Sequence, residues 1–81
     1  MSNFDHFLDA RQLRCPMPLL KMKQALNSLA SGEILQVVTT DPGSRIDFKV
    51  WLDQVEHELL EDEVLQEEQE NQEYLFRIRK S

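Results

Sequence analysis

The 81-residue sequence has only one cysteine, two glycines and three prolines. A single cysteine excludes a disulfide within the chain and a CxxC metal or redox pair, and it is typical of a reducing compartment. No apolar run approaches the roughly 20 residues that cross a bilayer, and residues 1–9 lack the basic and apolar blocks of a signal peptide. We therefore expect one small cytoplasmic domain, residues 1–81, with no membrane partner and no metal site.

Charge is distributed unevenly along the chain, whose net charge is −6. Arg11, Arg14, Lys21 and Lys23 surround the cysteine with no acid between them. The acidic total argues against direct nucleic-acid binding, because phosphate contacts depend on clustered Lys and Arg. The local basic patch could stabilise a thiolate or bind an acidic partner surface. An equally good interpretation is that these four residues are ordinary solvated surface. Acidic residues crowd the C-terminal third, among them Glu61, Asp62, Glu63, Glu67, Glu68, Glu70 and Glu73.

Hydrophobic spacing predicts a strand, a helix and a strand in the first half of the chain. Residues 7–10 are typical of a short strand and residues 11–14 of a loop. From Pro16, apolar residues recur at helical spacing, and we expect the helix to end at a glycine cap at Ser31-Gly32. Residues 33–40 are β-branched and nearly all apolar, which predicts a central strand, buried on both faces and parallel to the first.

A second helix is predicted after Asp41-Pro42. Aspartate before proline is typical of a helix N-cap followed by the first helical residue, so we interpret Asp41 as a cap rather than a catalytic acid. The expected apolar side of this helix comprises Ile46, Phe48, Val50, Trp51, Leu52 and Val55.

The remaining sequence predicts two strands. Residues 57–64 form the first, with Leu60 and Val64 on one face, and residues 74–79 alternate strictly and form the second. Between them, residues 66–71 are too polar to bury, which predicts an acidic hairpin loop.

The order β-α-β-α-β-β predicts an α+β fold. Its simplest form is a two-layer α/β sandwich, a four-stranded mixed sheet with both helices on one face. We expect Leu26, Phe48 and Trp51 at the centre of the core, and Arg77 and Arg79 on the opposite face of the sheet.

The candidate functional residue is Cys15, which precedes the predicted helix. A thiol at a helix N-terminus lies near unpaired backbone N–H groups and the positive end of the helix dipole. Both effects favour the thiolate, so we expect the pKa of Cys15 to lie below that of a free cysteine. The alternative interpretation is a structural cysteine, since buried inert thiols are common in proteins. Pro16 and Pro18 would fix the chain so that the sulfur projects outward. Arg11 and Arg14 could stabilise the anion or contact a partner.

Short elements spread along the chain match one family pattern: Asp9-Ala10-Arg11, Leu13-Arg14, Cys15-Pro16-Met17-Pro18, Leu19-Leu20, Asp41-Pro42, Asp47 and His57-Glu58-Leu59. With Cys-Pro-x-Pro placed after a strand and at the start of a helix, the chain resembles the TusA, or SirA-like, family of sulfur carrier proteins. The family often has glycine at the positions of Gln12 and Glu56 and glutamate at that of Met17.

The resemblance implies a βαβαββ sandwich whose Cys15 carries sulfane sulfur as a persulfide. It implies a weakly catalytic sulfurtransferase that needs no cofactor and is loaded by a cysteine desulfurase or rhodanese. A downstream acceptor protein would take the sulfur for transfer RNA thiolation, molybdenum cofactor assembly or sulfur oxidation. We place the lone histidines His6 and His57 outside the site, because persulfide exchange depends on a good nucleophile and leaving thiol.

Two other functions remain open from the sequence. The chain could be a non-catalytic regulatory module that binds a partner through its sheet face or acidic loop. It could instead bind RNA, as the likeness of its fold to the C-terminal domain of a translation initiation factor suggests, although the acidic total weighs against this. We expect a monomer.

Overall fold

In the computed structural model, which describes residues 4–14, 16–64 and 72–81, two helices pack on one face of a four-stranded mixed sheet. The predicted α+β class and element order are confirmed. The segment predicted as an acidic hairpin loop, residues 66–71, lies outside the described residues. The elements are β1 (His6–Ala10), α1 (Met17–Asn27), β2 (Ile34–Thr39), α2 (Gly43–Leu52), β3 (Glu58–Val64) and β4 (Tyr74–Arg79).

The sheet has the strand order β1-β2-β4-β3, with β2 parallel to β1 and antiparallel to β4. The central position predicted for β2 is therefore confirmed. Leu35 and Val37 lie in the core beneath the helices, and Val38 is also buried although alternation turns it to the other face. Ala10 and Thr39 are paired at the ends of β1 and β2, so the loops after both strands leave the same edge of the sheet.

The core is centred on Phe48 of α2 and Phe76 of β4, whose ring centroids lie 4.6 Å apart. Both side chains are fully buried, as is Leu26 of α1. The prediction that Trp51 lies at the centre was wrong, since Trp51 is only partly buried at the edge of the core. There the Lys23 ammonium lies 5.3 Å from its ring centroid, because a large indole can cover apolar surface and still bind a cation.

The end of α1 differs from the prediction. The helix ends at Asn27, with Ser28 as a right-handed cap, and not at Ser31-Gly32. After Asn27 the Ser28 and Leu29 N–H groups donate to the carbonyls of Ala25 and Leu26, so the helix closes in a tighter turn, and Leu29 is buried in the core. Gly32 does adopt the left-handed φ of +88°, but in the turn into β2, where its N–H donates to the Lys80 carbonyl.

The buried side of α2 also differs from the prediction. Ile46 and Val50 are 68% and 53% exposed. The helix instead buries Ser44, Phe48 and Leu52, which recur every four residues and so form one stripe. The hydroxyl groups of Ser44 and Thr39 are 2.6 Å apart and buried, so a polar contact takes the place of an apolar one.

An irregularity in β3 overturns the prediction that Leu60 shares a face with Val64. Leu59 pairs with Ile78 and Glu61 with Arg77, so Leu60 is an extra residue in the ladder. The bulge shifts the alternation, and Leu59 and Val64 pack against the core.

The sheet face away from the helices carries two ion pairs among the described residues of β3 and β4. Arg77 contacts Glu61 and donates to the Gln36 amide oxygen at 2.9 Å, and Arg79 donates to Glu58 at 2.7 Å. The outward orientation predicted for both arginines is confirmed. Across residues 4–14, 16–64 and 72–81, neither helix is long and apolar enough to cross a membrane.

Candidate functional site

A cleft of about 530 Å³ lies at the sheet edge where β1 and β2 both end. The Gln12-Leu13-Arg14 segment of the loop after β1 lines one side, and Thr40-Asp41-Pro42 after β2 lines the other. Cys15, the predicted sulfur-carrying residue, directly follows Arg14 in the chain and lies outside the described residues. The cleft arises because parallel strands bring their carboxyl ends, and the loops that follow, to one edge.

Gln12 shapes the loop that precedes the cysteine. Its φ is +71°, in the left-handed region that residues with a Cβ rarely occupy. The Gln12 N–H donates to the Thr40 hydroxyl at 3.0 Å, which joins the two sides of the cleft. Sequence reasoning missed this role, and the signal was the glycine that the family often has at this position, since glycine adopts the same φ without a steric cost.

The start of α1 corrects one expectation about the thiol. Pro16 is the exposed N-cap and Pro18 is buried in the first turn, and neither has an N–H. The Met17 N–H donates to the Arg14 carbonyl at 2.8 Å, so it is already engaged. These three residues therefore offer no free backbone donor to an anion, which removes part of the set of unpaired N–H groups expected beside the thiol.

The two arginines predicted near the thiol differ in their contacts. Arg11 forms a two-pronged ion pair with Asp9, with distances of 2.9 and 3.0 Å, and a second ion pair with Glu73 at 3.5 Å. The hydrogen bonds from Arg11 lower the pKa of Asp9 to about 2, and those to Asp9 raise the pKa of Arg11. Arg14 lines the cleft, is exposed and has no ion pair with any described residue. Of the two arginines, Arg14 is therefore the one whose charge no described carboxylate engages.

Asp41 stabilises the start of α2 without occupying the N-cap position predicted for it. The helix begins at Gly43 with Pro42 as N-cap, one residue later than expected, although Pro42 already has helical dihedral angles. One Asp41 carboxylate oxygen accepts the Gly43 N–H at 3.2 Å, and the Asp41 carbonyl accepts the Ser44 N–H at 3.0 Å. The other carboxylate oxygen, Oδ2, is buried with no hydrogen-bond partner among the described residues.

Both histidines lie away from the cleft. His6 pairs with Leu35 at the opposite end of β1, 3.9 Å from a Glu33 oxygen. His57 precedes β3, where its Nδ1 accepts the Ser81 N–H at 3.2 Å. Their placement agrees with leaving them outside the site.

Comparison with known proteins identifies a family. The family model described as sulfurtransferase TusA matches residues 6–80. The chain is 42% identical over 81 residues, the whole of both chains, to the sulfur carrier protein TusA of Allochromatium vinosum. It is 38% identical over 76 residues to the sulfur carrier protein TusA of Pseudomonas putida strain W619, covering 94% of this chain and 89% of that one. On this similarity, the chain belongs to the TusA family of sulfur carrier proteins.

Proposed function

We propose that this protein is a sulfur carrier in which Cys15 takes up one sulfane sulfur as a persulfide and passes it to an acceptor protein. The family match over residues 6–80 carries this proposal. Cys15 is the only cysteine, so it is the only thiol that can hold the sulfur. It also directly follows a residue that lines the cleft, which supports its access to a partner's persulfide.

The transfer is a thiol exchange with no net oxidation. The Cys15 thiolate attacks the terminal sulfur of a persulfide on the donor protein and forms a new S–S bond. The donor's own S–S bond breaks, and its cysteine leaves as a thiolate with the electron pair. The acceptor repeats the step when its thiolate attacks the terminal sulfur on Cys15, which leaves as a thiolate. No metal or organic cofactor is needed.

The surroundings support distinct roles for the other predicted residues. Arg14 can stabilise the thiolate and persulfide anions, because its charge is not engaged by a described carboxylate. Arg11 supports the loop, since Asp9 and Glu73 already engage it. Pro16 and Pro18 position the thiol through their fixed φ at the start of α1. The donor would be a cysteine desulfurase or a rhodanese in the cytoplasm.

Persulfide formation tests the proposal directly. Wild type incubated with a cysteine desulfurase and cysteine should gain one sulfur, about 32 Da, by intact-mass analysis, and dithiothreitol should remove it. A matched control moves the only thiol: Cys15→Ser combined with Ser31→Cys places it at an exposed turn after α1. This variant should load at least about tenfold more slowly if the site matters.

Two results would contradict the proposal. A wild type that gains no sulfur from the desulfurase would be a non-catalytic interaction module. Equal loading of wild type and the relocated thiol would show that any exposed cysteine accepts the sulfur.

A further inference from the structure

A serine occupies a position of α2 where an apolar side chain would be expected. Ser44 belongs to the buried stripe of the helix with Phe48 and Leu52, and it is 2% exposed. It is not the N-cap, which is Pro42. Burying a hydroxyl costs free energy unless the hydroxyl is hydrogen-bonded. The contacts of the Ser44 hydroxyl therefore indicate its role.

The Ser44 hydroxyl links the end of β2 to the backbone that follows it. It donates to the Asp41 carbonyl at 2.6 Å. Its single proton is then engaged, so the Thr39 hydroxyl, 2.6 Å away, is the donor in the contact between the two hydroxyls. The Asp41 carbonyl also accepts the Ser44 N–H at 3.0 Å, which alone closes this first turn. The hydroxyl is thus a second donor that holds the same carbonyl.

The segment held in this way forms one side of the cleft. Its Thr40 hydroxyl accepts the Gln12 N–H at 3.0 Å, and Thr39 pairs with Ala10 at the end of β1. The loop that leads to Cys15 is therefore joined to this segment at two points. A shift of the segment would move the loop as well, because hydrogen bonds keep their strength only within narrow limits of distance and angle.

We propose that Ser44 is a positioning residue for sulfur uptake. Its hydroxyl fixes the Asp41 carbonyl and thereby the chain at the end of β2. The contact between Thr40 and Gln12 transmits this constraint to the loop that precedes Cys15. The inference rests on the proposed function. A small displacement of a reactive group lowers a rate strongly, because the attacking and leaving atoms must be aligned.

The alternative is that the two buried hydroxyls only satisfy each other in the core, and two variants separate these roles. Ser44→Ala leaves the Thr39 hydroxyl buried without its acceptor, so this variant should unfold at a lower urea concentration than wild type. Ser44→Ala combined with Thr39→Val removes both hydroxyls and should unfold close to wild type, because no buried donor is left unpaired. Both variants lose the hydroxyl contact with the Asp41 carbonyl, but only the first loses stability.

Sulfur loading and thiol reactivity measure the positioning. With a cysteine desulfurase charged with persulfide, both variants should load at least about threefold more slowly than wild type. The midpoint of their iodoacetamide rate against pH should move upward, toward the free-cysteine value of about 8.5. A similar loss in the unstable and the stable variant is a result that a purely structural role would not produce.

Two control variants keep the contact between Ser44 and Asp41. Thr39→Val alone removes the donor to Ser44 but leaves the Ser44 hydroxyl on the Asp41 carbonyl. Ser28→Ala removes the same kind of bond elsewhere, from a serine hydroxyl to the Gln24 carbonyl at 3.2 Å, at the exposed end of α1. Both controls should load within about twofold of wild type and keep its alkylation midpoint.

Each other outcome overturns the inference in a distinguishable way. If wild type alkylates but takes no sulfur from the desulfurase, the proposed function fails and this inference fails with it. If wild type loads and the stable double variant matches it in rate and midpoint, only the inference fails. It also fails if Thr39→Val loads as slowly as Ser44→Ala, or if loading follows stability across the variants, because the contact with Asp41 would then not be the cause.

Discussion

The backbone N–H of Gln12 and the hydroxyl of Thr40, 28 positions apart in the chain, are hydrogen-bonded over 3.0 Å. This contact holds the loop that leads to Cys15 against the loop that leads to α2. It joins the two sides of the cleft, and Gln12 keeps its left-handed φ of +71°. The geometry of the site therefore depends on a pair of residues with no chemical role in sulfur transfer.

Removing the Thr40 hydroxyl should loosen the contact between these two loops. Thr40→Val keeps the shape of the side chain but leaves the Gln12 N–H without its acceptor, at a cost of about 1 kcal/mol in the free energy of unfolding. Urea denaturation would measure the loss, and hydrogen exchange at the Gln12 amide should become faster. Thr40→Ser keeps the hydroxyl and should stay close to wild type, so an equal loss in both variants would contradict this account.

Replacing Gln12 with glycine should stabilise the protein. The left-handed conformation costs a residue with a Cβ about 1–2 kcal/mol, and the added freedom of glycine in the unfolded chain offsets about 0.5–1 kcal/mol. Thermal and urea unfolding of Gln12→Gly should therefore show a net gain of about 0.5–1 kcal/mol. The matched control is Gln24→Gly at an exposed position in α1, which should lose about 1 kcal/mol.

The Asp62 ion pairs should make stability depend on pH in the acid range. Burial acts to raise the pKa of Asp62, but hydrogen bonds and charges from Lys49 and Arg45 outweigh it and lower the pKa. A lowered folded-state pKa contributes stability above the unfolded value of about 3.9, and this contribution is lost as the pH falls through the folded-state pKa. Asp62→Asn should thus be less stable than wild type by about 1 kcal/mol at pH 7.

The difference between wild type and Asp62→Asn should shrink as the pH is lowered below about 4, because the wild-type carboxylate is then protonated as well. Chemical denaturation of both proteins across this pH range measures the difference in their free energies of unfolding. Glu63→Gln, an exposed neighbour with no ion pair to a described residue, is the control. A difference independent of pH would show that Asp62 acts through packing.

The Cys15 thiol should titrate below the free-cysteine value of about 8.5. Iodoacetamide rates measured against pH report this pKa through their midpoint. Arg14→Gln should move the midpoint upward, because it removes the unpaired cation that precedes the thiol. Lys80→Gln makes the same change at the far end of the sheet and should leave the midpoint unchanged. A wild-type midpoint at the free-cysteine value would rule out activation of the thiol by its surroundings.

Substitutions in α2 should reveal which of its faces supports the core. Phe48→Ala removes a fully buried ring that packs on Phe76 and should cost about 3–5 kcal/mol. Ile46→Ala, at a position 68% exposed, should stay within about 0.5 kcal/mol of wild type. Urea denaturation of the two variants would show which face of α2 supports the core. Similar losses of stability in both would contradict the finding that Ser44, Phe48 and Leu52 form its buried face.

Much of the fold follows from the sequence alone. The strict alternation of Tyr74, Phe76 and Ile78 predicts β4 with its buried face, and the apolar run of β2 predicts a central strand. Both patterns are local, an alternation with a period of two in β4 and a continuous apolar run in β2, so they survive into the tertiary structure. The role of Cys15, Pro16 and Pro18 stays a prediction, made from their place at the start of the helix.

Only the tertiary structure decided which side chains are free to act. Arg11 and Arg14 look alike in the sequence, but Glu73, distant in the chain, engages Arg11 and no described carboxylate engages Arg14. Ile46 and Val50 fit a helical apolar pattern and yet face solvent, and the bulge at Leu60 reverses the faces of β3. Pairing, rotation about a helix axis and strand register depend on contacts between distant segments, so local sequence patterns cannot determine them.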